Sequence, residues 1–205
     1  MTTPGGTSAS LAQNVFTYIP PAPTVTGVSP SAGIVTGGDE VTVTGTDFDS
    51  ITSVKFGTAS ASFVRLSSTE ILATTPAGTL GTVDVQVAPS GGTSTTSAAD
   101  HFTYVNKPQI TGVTPSSGPA AGGTSVVIAG SDLSDAVEVD FGGVPGTVTA
   151  NTATSITVTT PPGTGTAAVT VATAGGFSTD AVNFEYLPPP TVTAINPTRG
   201  AESGA

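Results

Sequence analysis

The amino-acid sequence predicts an all-β protein built from tandem copies of one small unit. Glycine (26 residues) and proline (17 residues) are frequent, and Val, Thr and Ser fill most of the chain between them, which is typical of short strands joined by tight turns. No segment keeps the apolar spacing of an amphipathic helix. The third observation is an internal repeat of roughly 84 residues, which indicates a fold made of repeated modules.

Two short signatures carry the repeat, and each occurs three times. Val28–Gly33 has the pattern Val/Ile-x-Pro-x-x-Gly and returns as Val113–Gly118 and as Ile195–Gly200. A Phe-x-Tyr signature stands out of phase with it, at Phe16 and Tyr18, at Phe102 and Tyr104, and at Phe184 and Tyr186. The chain is therefore predicted to hold two complete units, with part of a further unit at each end.

Each unit opens with a short alternating strand, Pro-x-Val/Ile-Thr-x-Val/Ile, that leads into the proline of the first signature. A Gly-Gly pair follows, at Gly37–Gly38 and at Gly122–Gly123, and predicts a tight turn because glycine accepts backbone angles that other residues avoid. The next strand is predicted at Val41–Gly45 and at Val126–Gly130, since β-branched residues dominate both segments.

Three further strands complete the unit before the Phe-x-Tyr signature. They combine β-branched residues with period-two alternation, which predicts half-buried strands. Their copies are Val54–Gly57 and Val139–Gly142, Ile71–Pro76 and Ile156–Pro161, and Val83–Val87 and Ala167–Val171. The Phe-x-Tyr segment is the last strand, and its two aromatic residues share the face that we expect to pack into the core.

About seven period-two segments in roughly 84 residues are the pattern of an immunoglobulin-like β-sandwich. The pattern divides the chain into residues 1–21 (the last strand of a partial unit and a linker), 22–105 (domain 1), 106–187 (domain 2) and 188–205 (a linker and the first strand of a partial unit). We expect no helix longer than one turn. The side chains predicted to be buried are Val43, Phe56, Val85 and Phe102, with their counterparts Ile128, Phe141, Val169 and Phe184.

The two complete units resemble the IPT/TIG family of immunoglobulin-like domains. The resemblance lies in the run Val/Ile-x-Pro-x-x-Gly-x-x-x-Gly-Gly-x-x-Val-x-Val/Ile-x-Gly-x-x-Phe, which is Val28–Phe48 in the first unit and Val113–Leu133 in the second, where Leu133 replaces the usual Phe. The resemblance implies the sandwich fold but no single function, because the family occurs in bacterial surface proteins, starch-acting enzymes, plexin-like receptors and Rel-type transcription factors. The DNA-binding members use basic loops, which this chain lacks.

The composition excludes several functions. Cysteine is absent, so disulfides, thiolate-held metals and thiol nucleophiles are excluded. Four basic residues against 14 acidic ones give a net charge of −10, and such a chain is not expected to bind nucleic acid or anionic lipid. No segment predicts insertion into a membrane, and residues 1–6 lack the pattern of a secretory signal peptide.

His101 is the one histidine of the chain, and with the preceding Asp100 it raises the idea of a Ser-His-Asp hydrolase. The other two copies of this strand carry Val15 and Asn183 at the same position, although the flanking Phe and Tyr are repeated. We therefore predict a surface histidine on a strand. The chain also lacks a nucleophile elbow or Gly-rich phosphate loop between a strand and a helix, so the sequence predicts no catalytic residue and no enzyme.

Asp47 and Asp132 lie in equivalent loops and are weak candidates for metal ligands. Calcium needs about six to eight converging oxygen ligands, and neither loop offers that density. An aspartate that tolerates a left-handed backbone in a turn explains both positions without an ion. The sequence accordingly predicts no metal site and no cofactor.

The expected function is that of a non-catalytic structural or interaction protein displayed on a surface, with proline-rich linkers at 20–23 and 188–190 that space its modules. Two settings stay open: a segment of a bacterial cell-surface or adhesion protein, and a virion component such as a phage decoration or tail-associated protein. An accessory module of a carbohydrate-active enzyme is the alternative. The expected partners are proteins (neighbouring modules, surface proteins, or capsid and tail proteins), while carbohydrate binding has no supporting sequence signal.

The incomplete ends predict a further contact. Residues 14–19 have the pattern of a last strand and residues 191–196 that of a first strand, yet neither has its own sandwich within the chain. First and last strands of immunoglobulin-like sandwiches commonly lie side by side, so the C-terminal strand of one molecule would pair with the unpaired N-terminal edge of the next. Such a contact is head-to-tail self-association.

Overall fold

Strands and turns account for nearly all of the described fold. The computed structural model describes residues 2–3, 6–7, 21–89, 92–180, 182–194 and 196. Within these residues the helical elements are two single 3₁₀ turns, Phe48–Ser50 and Ala98–Asp100. The predicted all-β class is confirmed, and the chain forms two compact units.

Two short antiparallel strands, β1 (Thr2–Thr3) and β2 (Gly6–Thr7), precede the first repeat. The strands of the first repeat are β3 (Thr24–Ser29), β4 (Ala32–Ile34), β5 (Glu40–Thr46), β6 (Ile51–Phe56), β7 (Ala59–Arg65), β8 (Glu70–Thr74), β9 (Gly81–Pro89) and β10 (His101–Val105). They form a sheet with the order β3-β5-β8-β7-β6-β9-β10-β4. Strand β7 pairs with β6 at one end and with β8 at the other, so it links the two layers of the sandwich.

The second repeat uses the same order but divides into two sheets. Its strands are β11 (Gln109–Thr114), β12 (Ser117–Pro119), β13 (Ser125–Ser131), β14 (Glu138–Phe141), β15 (Val144–Pro145), β16 (Thr147–Asn151), β17 (Ser155–Thr159), β18 (Gly165–Thr173), β19 (Gly176–Phe177) and β20 (Asn183–Leu187). The sheets are β11-β13-β17-β16 and β12-β20-β18-β14-β15, with β19 paired to β18.

The division falls where the counterpart of β7 is interrupted. Pro145 and Gly146 separate β15 from β16. Proline has no backbone N–H to donate to a ladder, and glycine weakens a strand while letting a neighbour approach closely. A Cβ atom on Gly146 would lie 2.7 Å from Cγ2 of Val158. The break therefore follows from these two residues.

In each sandwich the short second strand runs parallel to the last strand and pairs with it. In the first repeat β4 pairs with β10, and in the second β12 pairs with β20. The pairing is extended by backbone hydrogen bonds from the Val35 N–H to the Val105 carbonyl and from the Ala120 N–H to the Leu187 carbonyl. The strand beside the last strand is therefore not the first strand of the repeat, as expected from the sequence, but the short strand that follows it, because β3 and β11 pair with β5 and β13 instead.

The predicted core is confirmed in both repeats. All eight side chains predicted from the alternation are buried: Val43, Phe56, Val85, Phe102, Ile128, Phe141, Val169 and Phe184. Phe56 meets Phe102 edge to face with ring centroids 5.1 Å apart, and Phe141 meets Phe184 in the same way at 5.6 Å. Equivalent positions therefore make equivalent contacts.

The Gly-Gly turn is fastened by a buried threonine in each repeat. Thr75 accepts the Gly38 N–H through its carbonyl and the Asp39 N–H through its hydroxyl, and Thr160 makes the same two bonds in the second repeat. A Cβ atom on Gly37, whose φ is +71°, would lie 2.5 Å from the carbonyl carbon of Pro76. The glycine is required at this turn by the backbone angle and by the close approach.

The sequence predicts part of a further unit at each end of the chain. Residues 14–19 lie outside the described residues. The predicted first strand at 191–196 is not a strand over its described part: residues 191–194 and 196 are irregular, and the side chain of Val192 is exposed. In the complete repeats the first strand is held by an antiparallel neighbour, as β3 is by β5, and the described residues here include no such neighbour.

Candidate functional site

Asp47 and Asp132 are turn residues that follow β5 and β13. Their φ angles are 60° and 55°, so the left-handed backbone expected at both is confirmed. The Asp47 carboxylate accepts a hydrogen bond from the Thr46 hydroxyl at 3.1 Å, and that of Asp132 accepts one from the Asn106 amide at 3.2 Å. Among the described residues, neither aspartate belongs to a group of three side chains that converge as metal ligands.

His101 lies at the start of β10 with its imidazole on the surface, as predicted. Its Nε2 is 3.5 Å from Oδ1 of Asp84 on the neighbouring strand β9, and the two side chains are 51% and 45% exposed. At this exposure an ion pair of ordinary geometry contributes little stability. The contact nevertheless places the imidazole beside a carboxylate.

Asp100 immediately precedes this histidine and is fully buried. It closes the 3₁₀ turn as part of a capping box, in which its Oδ2 accepts the Ser97 N–H at 2.9 Å and the Ser97 hydroxyl accepts the Ala99 N–H at 3.2 Å. The other oxygen, Oδ1, is buried without a hydrogen-bond partner. The local turn therefore supplies a hydrogen-bond donor for Oδ2 of Asp100, but it supplies none for Oδ1.

The three side chains form one cluster. Asp84, Asp100 and His101 each place a ligating atom within 4.8 Å of those of the other two. Asp100 and His101 are neighbours in the sequence, whereas Asp84 joins them only because β9 and β10 are neighbouring strands, which the sequence pattern does not reveal. A signal was present: all three positions differ between the repeats at once, with Ala168, Val182 and Asn183 as their counterparts.

The aromatic residues of the last strand are structural. Tyr104 and Tyr186 are buried in their sandwiches, and Tyr186 packs edge to face on Phe184 at 5.0 Å. The Tyr186 hydroxyl has no hydrogen-bond partner, and burial raises the pKa of Tyr186 above its ordinary value. Among the described residues the exposed aromatic side chain is Phe177, at 58%.

The described part of the chain contains no helix with the length and apolar character needed to cross a membrane.

Comparison with known proteins gives a family match over most of the chain. The family model of the IPT/TIG domain matches residues 23–104 and again residues 108–186. Human Fibrocystin-L is 32% identical over 115 residues, which are 55% of this chain and 3% of the human protein. The chain thus spans a small part of that relative.

Solved structures of the Plexin A4 extracellular region have a similar fold. The structure with domains 1 to 10 gives a TM-score of 0.54 at 22% identity and covers 85% of this chain and 16% of the plexin chain. The structure with domains 1 to 8 gives a TM-score of 0.50 at 21% identity, with 80% and 18% covered. At these identities the likeness shows the fold alone.

Proposed function

The chain belongs to the IPT/TIG family of immunoglobulin-like domains, and on this premise we propose that it is a non-catalytic structural and interaction protein displayed outside a cell. IPT/TIG domains are generally interaction modules rather than enzymes. In the proposed role the two repeats act as spacers and binding surfaces within a surface protein of the adhesion kind. The use of the same fold in the extracellular region of Plexin A4 is consistent with this location.

The observation that carries the proposal is that one sandwich is built twice, each copy closed by its own parallel pair. The pairs β4–β10 and β12–β20 cover the last strand of each repeat. Covering an edge in this way prevents unwanted pairing with other chains, which suits modules arranged in series. The net charge of −10 favours solubility and disfavours non-specific binding to anionic surfaces.

The accessory role in a carbohydrate-active enzyme has weaker support. Stacking of sugar rings would need several exposed aromatic side chains, and Phe177 is the exposed one in the part of the chain that the structure describes. We therefore propose proteins, rather than glycans, as the partners of these modules.

The location is tested with antibodies raised against the whole chain. Intact, unpermeabilised cells that produce the protein should be labelled at their surface. Label that appears only after permeabilisation would contradict the proposal. Label on released virus particles, with none on the cells, would favour the virion setting over the cell surface.

A further inference from the structure

The first repeat carries a side-chain cluster on its surface that the second repeat lacks. Asp84 on β9, Asp100 in the 3₁₀ turn and His101 at the start of β10 place one ligating atom each within 4.8 Å of one another. We propose that this cluster is a binding site for a divalent transition-metal ion, represented by zinc. The inference goes beyond the proposed surface role and does not depend on it.

The types of donor atom and the distance between two of them fit such an ion. Zinc takes imidazole nitrogen and carboxylate oxygen at about 2.1 Å in tetrahedral geometry, so neighbouring ligand atoms lie about 3.4 Å apart. Nε2 of His101 and Oδ1 of Asp84 are 3.5 Å apart. This distance is close to the separation of two zinc ligands and longer than the roughly 2.8 Å of a strong charge-assisted hydrogen bond. Calcium prefers oxygen ligands alone and more of them.

The buried carboxylate gives the independent reason to expect a cation. Asp100 is fully buried, and its Oδ1 has no hydrogen-bond partner although Oδ2 is bound to the Ser97 N–H. A buried carboxylate oxygen without a partner is strongly unfavourable. A metal ion held between Asp100 and the two surface ligands would supply the missing positive charge.

The second repeat shows that the fold does not require these residues. Ala168 and Asn183, the counterparts of Asp84 and His101, are direct cross-strand neighbours in β18 and β20. Val182, the counterpart of Asp100, packs against the hydrophobic core. The same sandwich therefore forms with an apolar residue where the first repeat buries a carboxylate, so a structural role alone does not explain the cluster.

The position of the cluster also indicates how the ion would be held. Asp84 and His101 are about half exposed, whereas Asp100 lies beneath them. Three protein ligands leave at least one coordination position of zinc open. Because two of the three ligands are about half exposed, water or a donor atom from a bound partner can reach that position.

The test uses the untagged full-length chain, freed of metal with a chelator and titrated with zinc chloride near neutral pH by isothermal titration calorimetry. We expect one zinc ion per chain. The imidazole signals in the NMR spectrum should shift in a saturable way, and they belong to His101 because the chain has one histidine. Calcium chloride at the same concentrations should leave these signals unchanged.

Two variants remove one ligand each, and a third is the matched control. His101→Asn introduces the residue that the second repeat has at this position, and Asp84→Asn keeps the shape of the side chain. Each should weaken zinc binding at least tenfold, the lower bound for loss of a residue that merely supports metal ligands. Asp47→Asn removes the same charge outside the cluster and should bind zinc like the unaltered chain.

Circular dichroism spectra of the three variants should match that of the unaltered chain, which checks that each variant keeps the fold. The proposal is overturned if the unaltered chain shows no saturable one-to-one binding of zinc. It is equally overturned if His101→Asn and Asp84→Asn keep the affinity of the unaltered chain.

Discussion

Phe102 and Phe184 hold the same place in the two repeats, and each packs edge to face on the phenylalanine of a strand in its own sandwich. Truncation of Phe102 to Ala removes a fully buried ring and leaves a cavity, so Phe102→Ala should lower the free energy of unfolding by about 3–5 kcal/mol. Phe184→Ala should cost a similar amount. Urea unfolding followed by circular dichroism measures both. Val137→Ala, at a side chain that is 77% exposed, should change the stability by less than about 0.5 kcal/mol.

The protonation of Tyr186 should make the free energy of unfolding depend on pH in the alkaline range. Burial raises its pKa in the folded state, so the folded protein resists losing the phenol proton that the unfolded chain loses near about pH 10. The contribution is complete below the unfolded pKa and disappears as the pH rises through the folded pKa. Stability should therefore fall more steeply above about pH 10 in the unaltered chain than in Tyr186→Phe.

The comparison between these two proteins is the informative measurement, because the other two tyrosines are present in both. Urea midpoints taken at a series of pH values should diverge in the alkaline range. Parallel curves would show that the Tyr186 phenol is not held protonated by the fold. At neutral pH Tyr186→Phe should be no less stable, since the hydroxyl that it removes has no hydrogen-bond partner.

At the same scale, the sequence predicted core residues better than it predicted the cluster. Alternation along a strand reports which face is buried, and it identified all eight core side chains that were named. The approach of Asp84 to His101 depends on which strands are neighbours and in what register, and alternation in one strand carries neither. The burial of Asp100 could not be predicted either, because a residue in a single 3₁₀ turn belongs to no periodic pattern.

Among the elements, the pair β11 and β13 contains two glycines with opposite requirements. A Cβ atom on Gly130 would lie only 2.0 Å from the Gln109 carbonyl oxygen, whereas one on Gly112 meets nothing within 4 Å. Gly130→Ala should force the two strands apart and cost at least about 2 kcal/mol. Gly112→Ala, on the same strand pair, should be neutral or slightly stabilising. Thermal unfolding of both variants checks this, and equal effects would refute the close-approach argument.

Most strands with β-branched alternation were predicted, whereas Ala59–Arg65 and Thr147–Asn151 were not. Glu40–Thr46 and Gly81–Pro89 contain the segments named from the sequence, and Ile51–Phe56 and Glu70–Thr74 overlap theirs but end one and two residues earlier. The sequence does not predict the parallel strands Ala32–Ile34 and Ser117–Pro119, because three residues that include Gly or Pro show no alternation. They are strands only because the last strand of the repeat lies beside them, and this pairing is a tertiary effect.

At the scale of the whole molecule, the chain consists of two immunoglobulin-like modules, and the boundaries 22–105 and 106–187 remain predictions. Each repeat has its own core, its own fastened Gly-Gly turn and its own parallel edge pair. A domain of this size with a complete core is large enough to fold without disulfides or metals.

The most direct measurement is a proton–nitrogen correlation spectrum of each segment, 22–105 and 106–187, produced separately and compared with the spectrum of the full chain. We expect both isolated segments to give dispersed amide signals typical of a folded β-sandwich. Most of these signals should overlay those of the full chain. A collapsed spectrum from either segment would contradict the claim that each repeat is a complete folding unit.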